Sequence, residues 1–347
     1  MSAAAASESS RWSGMIAATR WLRGYEHAWF RADLAAGVTL AAYLLPAALG
    51  DASLAGLPSE AGLYACLFGG LVFWLFCSSR QTSITVTSAI SLLIGSTLGG
   101  MAGGDPARYS TLAAGTALLV ALIAFLAWLA RAGSAVNFIS ESVMTGFKAG
   151  VALHLASTQL PKLFGVKGGH DDFWERMHVF LQHIGETNTT SLLLGCSALA
   201  LLILGKKLLP NKPVALFVVI AGIAVATFID LGAHGVKLLG EVPRGVPMPS
   251  LPDVHYPDLR ELMPLALACF LLGAVETAAI GRMFAEKHGY RLDSNQELLA
   301  LAGANLASGV GQGFPISGGM SQSLVNESAG ARTPLTGLIA AGIVLVV

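Results

Sequence analysis

The chain has 347 residues, of which 54% are hydrophobic and only 12% are charged. Soluble globular proteins carry about 25% charged residues. A chain this poor in charge cannot cover a water-facing surface of its size, which excludes a soluble globular protein. Its formal net charge is zero, which gives no reason to expect a nucleic acid as partner. We therefore expect an all-α polytopic membrane protein, with membrane lipid around it.

No enzyme motif is present. The sequence lacks a GxSxG elbow, an HExxH pair and a P-loop, whose residues would carry hydrolytic or nucleotide chemistry. The four cysteines lie in apolar runs without a CxxC pair, which is typical of small buried thiols. We expect no enzymatic activity, no bound cofactor, no metal site built from cysteines and no ATP-driven step in this chain.

Eleven stretches are apolar enough to be candidate membrane spans, because a helix needs about 20 such residues to cross a bilayer. They lie near residues 33–50, 60–77, 84–100, 109–130, 136–160, 189–205, 213–231, 261–281, 295–311, 316–329 and 334–347.

The segments around these spans indicate orientation. Residues 1–30 are polar and then basic, without an apolar core and cleavage site, which predicts a cytoplasmic N-terminal segment. Lysine and arginine are more numerous on the loops of that side, as in a multi-pass protein of the cell's inner (plasma) membrane. Residues 170–186 mix charged with aromatic side chains, which predicts an amphipathic helix at the membrane interface.

The third and tenth candidate spans are interrupted in the same way. The third begins with a polar, β-branched run and becomes helical in pattern only after Thr87, and the tenth begins with the glycines and proline of residues 313–319. Interrupted spans in matching positions indicate a transporter binding site, since non-helical backbone at membrane depth must be covered by protein or line a watery cavity. The alternative is two loops that precede short helices outside the membrane.

Each interrupted span also presents the N-terminus of a helix, where unpaired N–H groups and partial positive charge favour an anion. Both starts are rich in hydroxyl and amide donors and contain no carboxylate. The alternative is ordinary capping, with serine and threonine as N-cap residues. The candidate anion-binding residues are Thr87, Ser88, Met320, Ser321 and Gln322.

Glu276 lies inside the apolar stretch LALACFLLGAVETAAIG. A carboxylate within a membrane span is costly and therefore indicates function by default. It could carry a coupling proton, or bind Na⁺ together with Thr277 and a backbone carbonyl. The alternative is a carboxylate that reaches water at the inner interface, since Arg282 is only six residues further on.

Three other positions are supporting candidates. Lys148 lies deep in the fifth candidate span and shares a face with Glu141, so the two predict either an ion pair or a proton relay. Asp33 is expected to stabilise the N-terminus of the first span. Pro46 is expected to break or kink that span, which either opens space for substrate or eases packing.

Two long stretches resemble the SulP (sulfate permease) family of anion transporters. The first comprises residues 33–37, Pro46 and the run LAGLPSEAGLYACLFGGLVFWLFCSSRQTS. The second is VETAAIGRMFAEKHGYRLDSNQELLALAGANLASGVGQGFPISGGMSQSLVNESAGARTPLTGL. The resemblance covers nearly the whole chain from about residue 30.

The resemblance implies a fold of seven plus seven spans in inverted repeats, with a core and a gate domain and possible homodimers. Spans one, three, eight and ten of the core would form the anion site, and Glu276 would correspond to the family's cation-coupling carboxylate. The chain would be truncated in the eleventh span, before a STAS domain. The implied domains are a segment 1–30, core spans 31–131, gate spans 132–235 and core spans 236–347.

The implied function is secondary active transport of an inorganic anion, foremost sulfate, by an elevator-type movement coupled to H⁺ or Na⁺. Bicarbonate or dicarboxylate transport, a passive anion channel and a non-transporting fragment are the alternatives. Three departures from the family pattern bear on which anion binds. Thr85 and Val86 replace a common Gly-Pro, Ala47 replaces a common Gln after Pro46, and Gln322 stands where vertebrate members carry Arg.

Overall fold

The computed structural model describes residues 17–134, 141–166, 173–209, 214–229, 231–236 and 245–346. The helices are α1 (Ala18–Arg23), α2 (His27–Leu54), α3 (Ser59–Phe76), α4 (Ser88–Ala102), α5 (Pro106–Leu129), α6 (Glu141–Phe164), α7 (Phe173–His183), α8 (Thr189–Leu208), α9 (Val214–Phe228), α10 (Tyr256–His288), α11 (Ser294–Val310), α12 (Met320–Ser328) and α13 (Leu335–Val346). Two short strands, β1 (Ile84–Thr85) and β2 (Ser317–Gly318), precede α4 and α12.

Every candidate span of the sequence contains one of these helices, and residues 170–186 contain α7, so the helical prediction is confirmed. Within the described residues, four helices (α2, α3, α5 and α10) are long and apolar enough to cross a membrane. A fifth span is possible if residues 173–186 and 189–205, which meet at 114°, count as one broken span. Helices α4 and α13 are apolar but shorter.

The first span is longer than the sequence indicated. Helix α2 begins at His27 and continues through Pro46 and past Gly50 to Leu54. The expectation that Asp33 stabilises the start of this helix was therefore wrong, because Asp33 lies more than one turn inside it, and Pro46 does not end it. Proline is tolerated within a membrane helix when neighbouring groups satisfy the freed backbone.

Asp33 instead joins two distant parts of the chain. Its buried carboxylate accepts hydrogen bonds from the backbone N–H of Arg332 (2.7 Å) and from the hydroxyl of Thr333 (2.6 Å). The backbone N–H of Thr333 and the hydroxyl of Tyr25 also donate to it. Since α13 begins directly afterwards and packs against α2 and α3, Asp33 fixes the point at which α13 starts.

Helix α11 packs against both α5 and α3. The contact with α5 is close at Gly309, where an added Cβ would be 2.9 Å from the carbonyl oxygen of Ala114. At its N-terminus, the buried carboxylate of Glu297 accepts hydrogen bonds from the backbone N–H groups of Ser78 and Ser79. These contacts hold the segment between α3 and β1 against α11.

The chain divides into two compact units, residues 1–139 with 244–347 and residues 140–243. The first contains α1–α5 and α10–α13 with both strands. In the second, α8 packs against α6 and α9, and α6 also packs against α7. The assignment of core and gate roles to such parts of the chain stays a prediction.

Candidate functional site

Strands β1 and β2 bring the two interrupted spans together. They pair in antiparallel register, with Ile84 opposite Gly318 and Thr85 opposite Ser317. Helix α4 begins at Ser88 and helix α12 at Met320, so each helix starts within three residues of its strand. The extended segments expected before these half-helices are therefore present, and their pairing places both helix N-termini around one short ribbon.

A buried asparagine on α11 holds β2 in place. The side-chain amide of Asn305 donates to the carbonyl of Ile316 (3.0 Å), and its oxygen accepts from the N–H of the same residue (3.0 Å). The hydroxyl of Ser308 donates to the carbonyl of Phe314 (2.7 Å). Backbone that is not helical would otherwise leave polar groups unpaired inside the protein.

Glycines allow the ribbon to lie against its neighbours. An added Cβ on Gly318 would be 2.9 Å from the Cα of Thr277, and one on Gly319 would be 2.4 Å from the Cγ2 of Thr85. The N–H of Gly318 donates to the hydroxyl of Thr277 (2.9 Å), and the N–H of Gly319 donates to the carbonyl of Ser83 (3.0 Å). Thus, Thr277 positions β2 from α10, and its suggested role as a Na⁺ ligand stays a prediction.

Neither helix start is capped by its own N-cap side chain. Thr87 is the N-cap of α4, and its side chain accepts no bond from the first turn. Gly319 is the N-cap of α12 and has no side chain that could accept one. Asp105, Asn188 and Asp293 do cap α5, α8 and α11, whereas α2 and α3 also begin without a side-chain cap. The structure therefore does not show the ordinary capping considered above, and it leaves the first-turn N–H groups open to another acceptor.

Thr87, Ser317 and Glu276 form a continuous polar chain. The hydroxyl oxygens of Thr87 and Ser317 are 3.2 Å apart, and the hydroxyl of Ser317 donates to Oε2 of Glu276 (2.9 Å). When Glu276 is ionised, Ser317 uses its one proton on the carboxylate and Thr87 must donate to Ser317. The carboxylate on α10 is thereby connected to the start of α4.

The sequence profile of the Sulfate permease family matches residues 30–347. The chain belongs to this family. The members of this family are membrane transporters and not enzymes. The family therefore confirms two predictions, that the chain is a membrane protein and that it is not an enzyme.

A relative agrees with this assignment, and solved structures share the fold. A probable sulfate transporter of Mycobacterium tuberculosis is 36% identical over 325 residues, which cover 94% of this chain and 58% of the relative. The structure of SLC26A9 matches with a TM-score of 0.90 at 23% identity, over 99% of this chain and 57% of that one. The transmembrane domain of a cyanobacterial bicarbonate transporter, BicA, matches with a TM-score of 0.82 at 22% identity, over 93% and 83%. This chain thus spans little more than half the length of the M. tuberculosis relative.

The structure places the remaining candidate residues of this sulfate permease family member as follows. In the first turn of α12, Gln322 is buried, Met320 half-buried and Ser321 exposed. Pro46 and Ala47 are half-buried on α2. The side chain of Lys148 lies outside the described part of the structure.

Sequence reasoning missed Asp51, which lies on α2 one turn beyond Ala47. The hydroxyl of Ser88 donates to Oδ1 of Asp51 at 2.6 Å, so a carboxylate does stand beside the start of α4. The expected span ended at Gly50, which put Asp51 into a loop. The sequence feature that could have identified Asp51 is an acidic residue followed directly by further apolar residues, which is the pattern of a carboxylate inside a membrane span.

Proposed function

We propose that this chain is the membrane-embedded part of a secondary active transporter for a small inorganic anion, with sulfate as the leading candidate. The observation that carries the proposal is the pairing of β1 with β2, which gathers two uncapped helix N-termini at one place. Two such termini offer N–H donors and partial positive charge without a full cationic side chain. An anion would be held there and still be released at low cost.

The same proposal includes cation coupling and an elevator-type movement of the spans. Glu276 would carry the coupling H⁺ or Na⁺, because the polar chain through Ser317 and Thr87 joins its carboxylate to the start of α4. Core spans from residues 31–131 and 236–347 would move as an elevator against gate spans 132–235. Pro46, Ala47 and Lys148 would support the site, in a protein with inverted repeats that forms homodimers in the inner (plasma) membrane.

Two features of the comparisons support this reading. The M. tuberculosis relative bears the name of a probable sulfate transporter, and a structure of the same fold belongs to a bicarbonate transporter. Bicarbonate and dicarboxylates therefore remain alternative substrates. A passive channel and a chain that binds anions without moving them are the alternative modes.

A charge placed at the start of α12 tests the position of the anion. In Ser321→Asp, the new carboxylate on an exposed first-turn residue competes with the anion for the same N–H groups. It also suits the helix dipole, so folding should be preserved. We expect sulfate affinity, measured by ligand-dependent thermal stabilisation of the purified chain, to fall about tenfold or more.

Ser328→Asp is the matched control, because it places the same exposed carboxylate at the other end of α12. It should leave sulfate affinity within about a factor of two. Equal losses in both variants would show that the anion does not bind at the start of α12. Uptake into proteoliposomes then separates the modes, since cation-driven, saturable uptake supports a symporter and unsaturated flux without a gradient supports a channel.

A further inference from the structure

Asp51 has an unusual environment for a residue beside an anion site. Its side chain is 8% exposed, and Oδ1 accepts the hydrogen bond from Ser88. No described residue donates a hydrogen bond to its second oxygen, Oδ2. Oδ2 is not one of the enclosed side-chain atoms that lack a partner. It is therefore accessible to a group from outside the chain that can donate a hydrogen bond to it.

No cation compensates this carboxylate among the residues that the structure describes. Ion pairs of the described residues, such as Arg108 with Asp258 and Lys287 with Glu327, do not involve Asp51. The positive potential at Asp51 therefore comes from the uncapped first turn of α4. One turn along the same helix face, the hydroxyl of Ser91 is fully buried and has no partner, a second sign that this turn is built for a polar guest.

The hydroxyl protons near this turn are already committed. Ser88 donates to Asp51, and Thr87 donates towards Ser317 when Glu276 is ionised. An incoming anion thus meets backbone N–H donors together with one free carboxylate oxygen. If the anion carries a hydroxyl, that group can donate a strong charge-assisted bond to Oδ2. A fully ionised anion has no proton to donate to Oδ2 and is repelled by its negative charge.

We propose that Asp51 is a specificity-determining residue that accepts a hydrogen bond from the bound anion, so that the site favours oxyanions that retain a proton. Hydrogencarbonate and the hydrogenphosphates belong to this class at neutral pH, whereas sulfate does not. The inference rests on the anion site proposed above. It replaces sulfate, the leading candidate of that proposal, with oxyanions that retain a proton.

Two phosphate probes test this without any substitution. Hydrogenphosphate and monofluorophosphate are both tetrahedral dianions at mildly alkaline pH, but only the first carries a hydroxyl. Binding to the detergent-purified chain is measured by thermal stabilisation. We expect hydrogenphosphate to bind at least about tenfold more tightly than monofluorophosphate or sulfate, because the latter two leave Oδ2 unpaired.

The variant Asp51→Asn tests the residue itself. Its amide oxygen still accepts from Ser88, while its NH₂ group now donates where Oδ2 accepted. We expect the ratio of hydrogenphosphate to sulfate affinity to fall by about tenfold or more, with sulfate binding strengthened. Glu60→Gln is the matched control, since it removes one negative charge from the half-buried first turn of α3 and should leave the ratio unchanged.

The outcomes separate this inference from the proposed function. Tight binding of sulfate and monofluorophosphate by the unmodified chain, or an unchanged ratio in Asp51→Asn, would overturn the role of Asp51 and leave the anion site in place. Stabilisation by none of the anions, including hydrogencarbonate, would overturn the proposed anion site and the role of Asp51 with it. Loss of folding in Asp51→Asn leaves the two-phosphate comparison as the deciding measurement.

Discussion

At the scale of single residues, Glu276 and Asp51 set the direction of the hydroxyl protons around β1 and β2. Ser317 donates to Glu276 at 2.9 Å and Ser88 donates to Asp51 at 2.6 Å. Because a hydroxyl group has one proton, each carboxylate determines what its serine can offer to a ligand. A change of charge at Asp51 should therefore alter ligand binding while the surrounding backbone stays in place.

Glu276→Gln tests the coupling role at this scale. Glutamine keeps an oxygen that can accept from Ser317, so insertion and anion binding should be preserved. We expect the stimulation of anion uptake by an H⁺ or Na⁺ gradient to disappear in proteoliposomes. Glu261→Gln, an exposed position of the same helix, should retain the stimulation. Gradient-driven uptake that persists in Glu276→Gln would remove Glu276 from the coupling step.

At the scale of elements, the ribbon of β1 and β2 is the feature on which both half-helices depend. Each strand has only two residues, so the pair cannot be stable by itself. Asn305 and Thr277 supply hydrogen bonds from α11 and α10, and the adjacent glycines permit the close approach. Because α10 and α11 hold the ribbon in place, the ribbon fixes the positions of the two helix N-termini that follow its strands.

Gly318→Ala tests this dependence. The added Cβ would be 2.9 Å from the Cα of Thr277, and a backbone atom cannot move aside as a flexible side chain can. We expect a loss of about 1–3 kcal/mol in the free energy of unfolding, measured as a lower melting temperature, together with weaker anion binding. Gly99→Ala on α4 is the control, because nothing lies within 4 Å of the new Cβ. Equal stability of both variants would contradict the close packing of β2 on α10.

At the scale of the whole molecule, one compact unit is assembled from both ends of the chain. Asp33 and Thr333 are 300 positions apart in sequence, yet their hydrogen bond fixes α13 beside α2. Asp33 and Thr333 are buried, so removing the carboxylate would deprive two N–H groups and the hydroxyls of Thr333 and Tyr25 of their acceptor. The unit should accordingly depend on this contact more than on any local helix cap.

Asp33→Ala compared with Asp105→Ala measures that dependence. Asp105 caps α5 at an exposed position, and its loss should cost about 1 kcal/mol. Loss of Asp33 should cost roughly 2–4 kcal/mol, because several buried donors lose their acceptor. Thermal unfolding of the two purified variants provides the comparison. A cost for Asp33→Ala no larger than that for Asp105→Ala would show that α13 is held by apolar packing alone.

Much of the fold was predictable, because hydropathy in a membrane protein follows directly from the lipid around it. The eleven candidate spans each contain a helix, and the start of α4 directly after Thr87 could be read from the polar, β-branched run before it. The end of α2 could not be predicted, because Gly50 resembles a helix end in sequence. Only its packing against α3 and α13 shows that the helix continues to Leu54 and brings Asp51 to the site.

The sequence by itself determined that this is a many-helix membrane protein of the sulfate permease family, with two interrupted spans and one carboxylate, Glu276, in an apolar stretch. Local composition suffices for that, because burial in lipid and the start of a helix depend on neighbouring residues. The tertiary structure decided that β1 pairs with β2, that Ser317 links Thr87 to Glu276, and that Asp51 stands beside Ser88. Those contacts join residues 37 to 234 positions apart, and only the packing of the helices determines which of them meet.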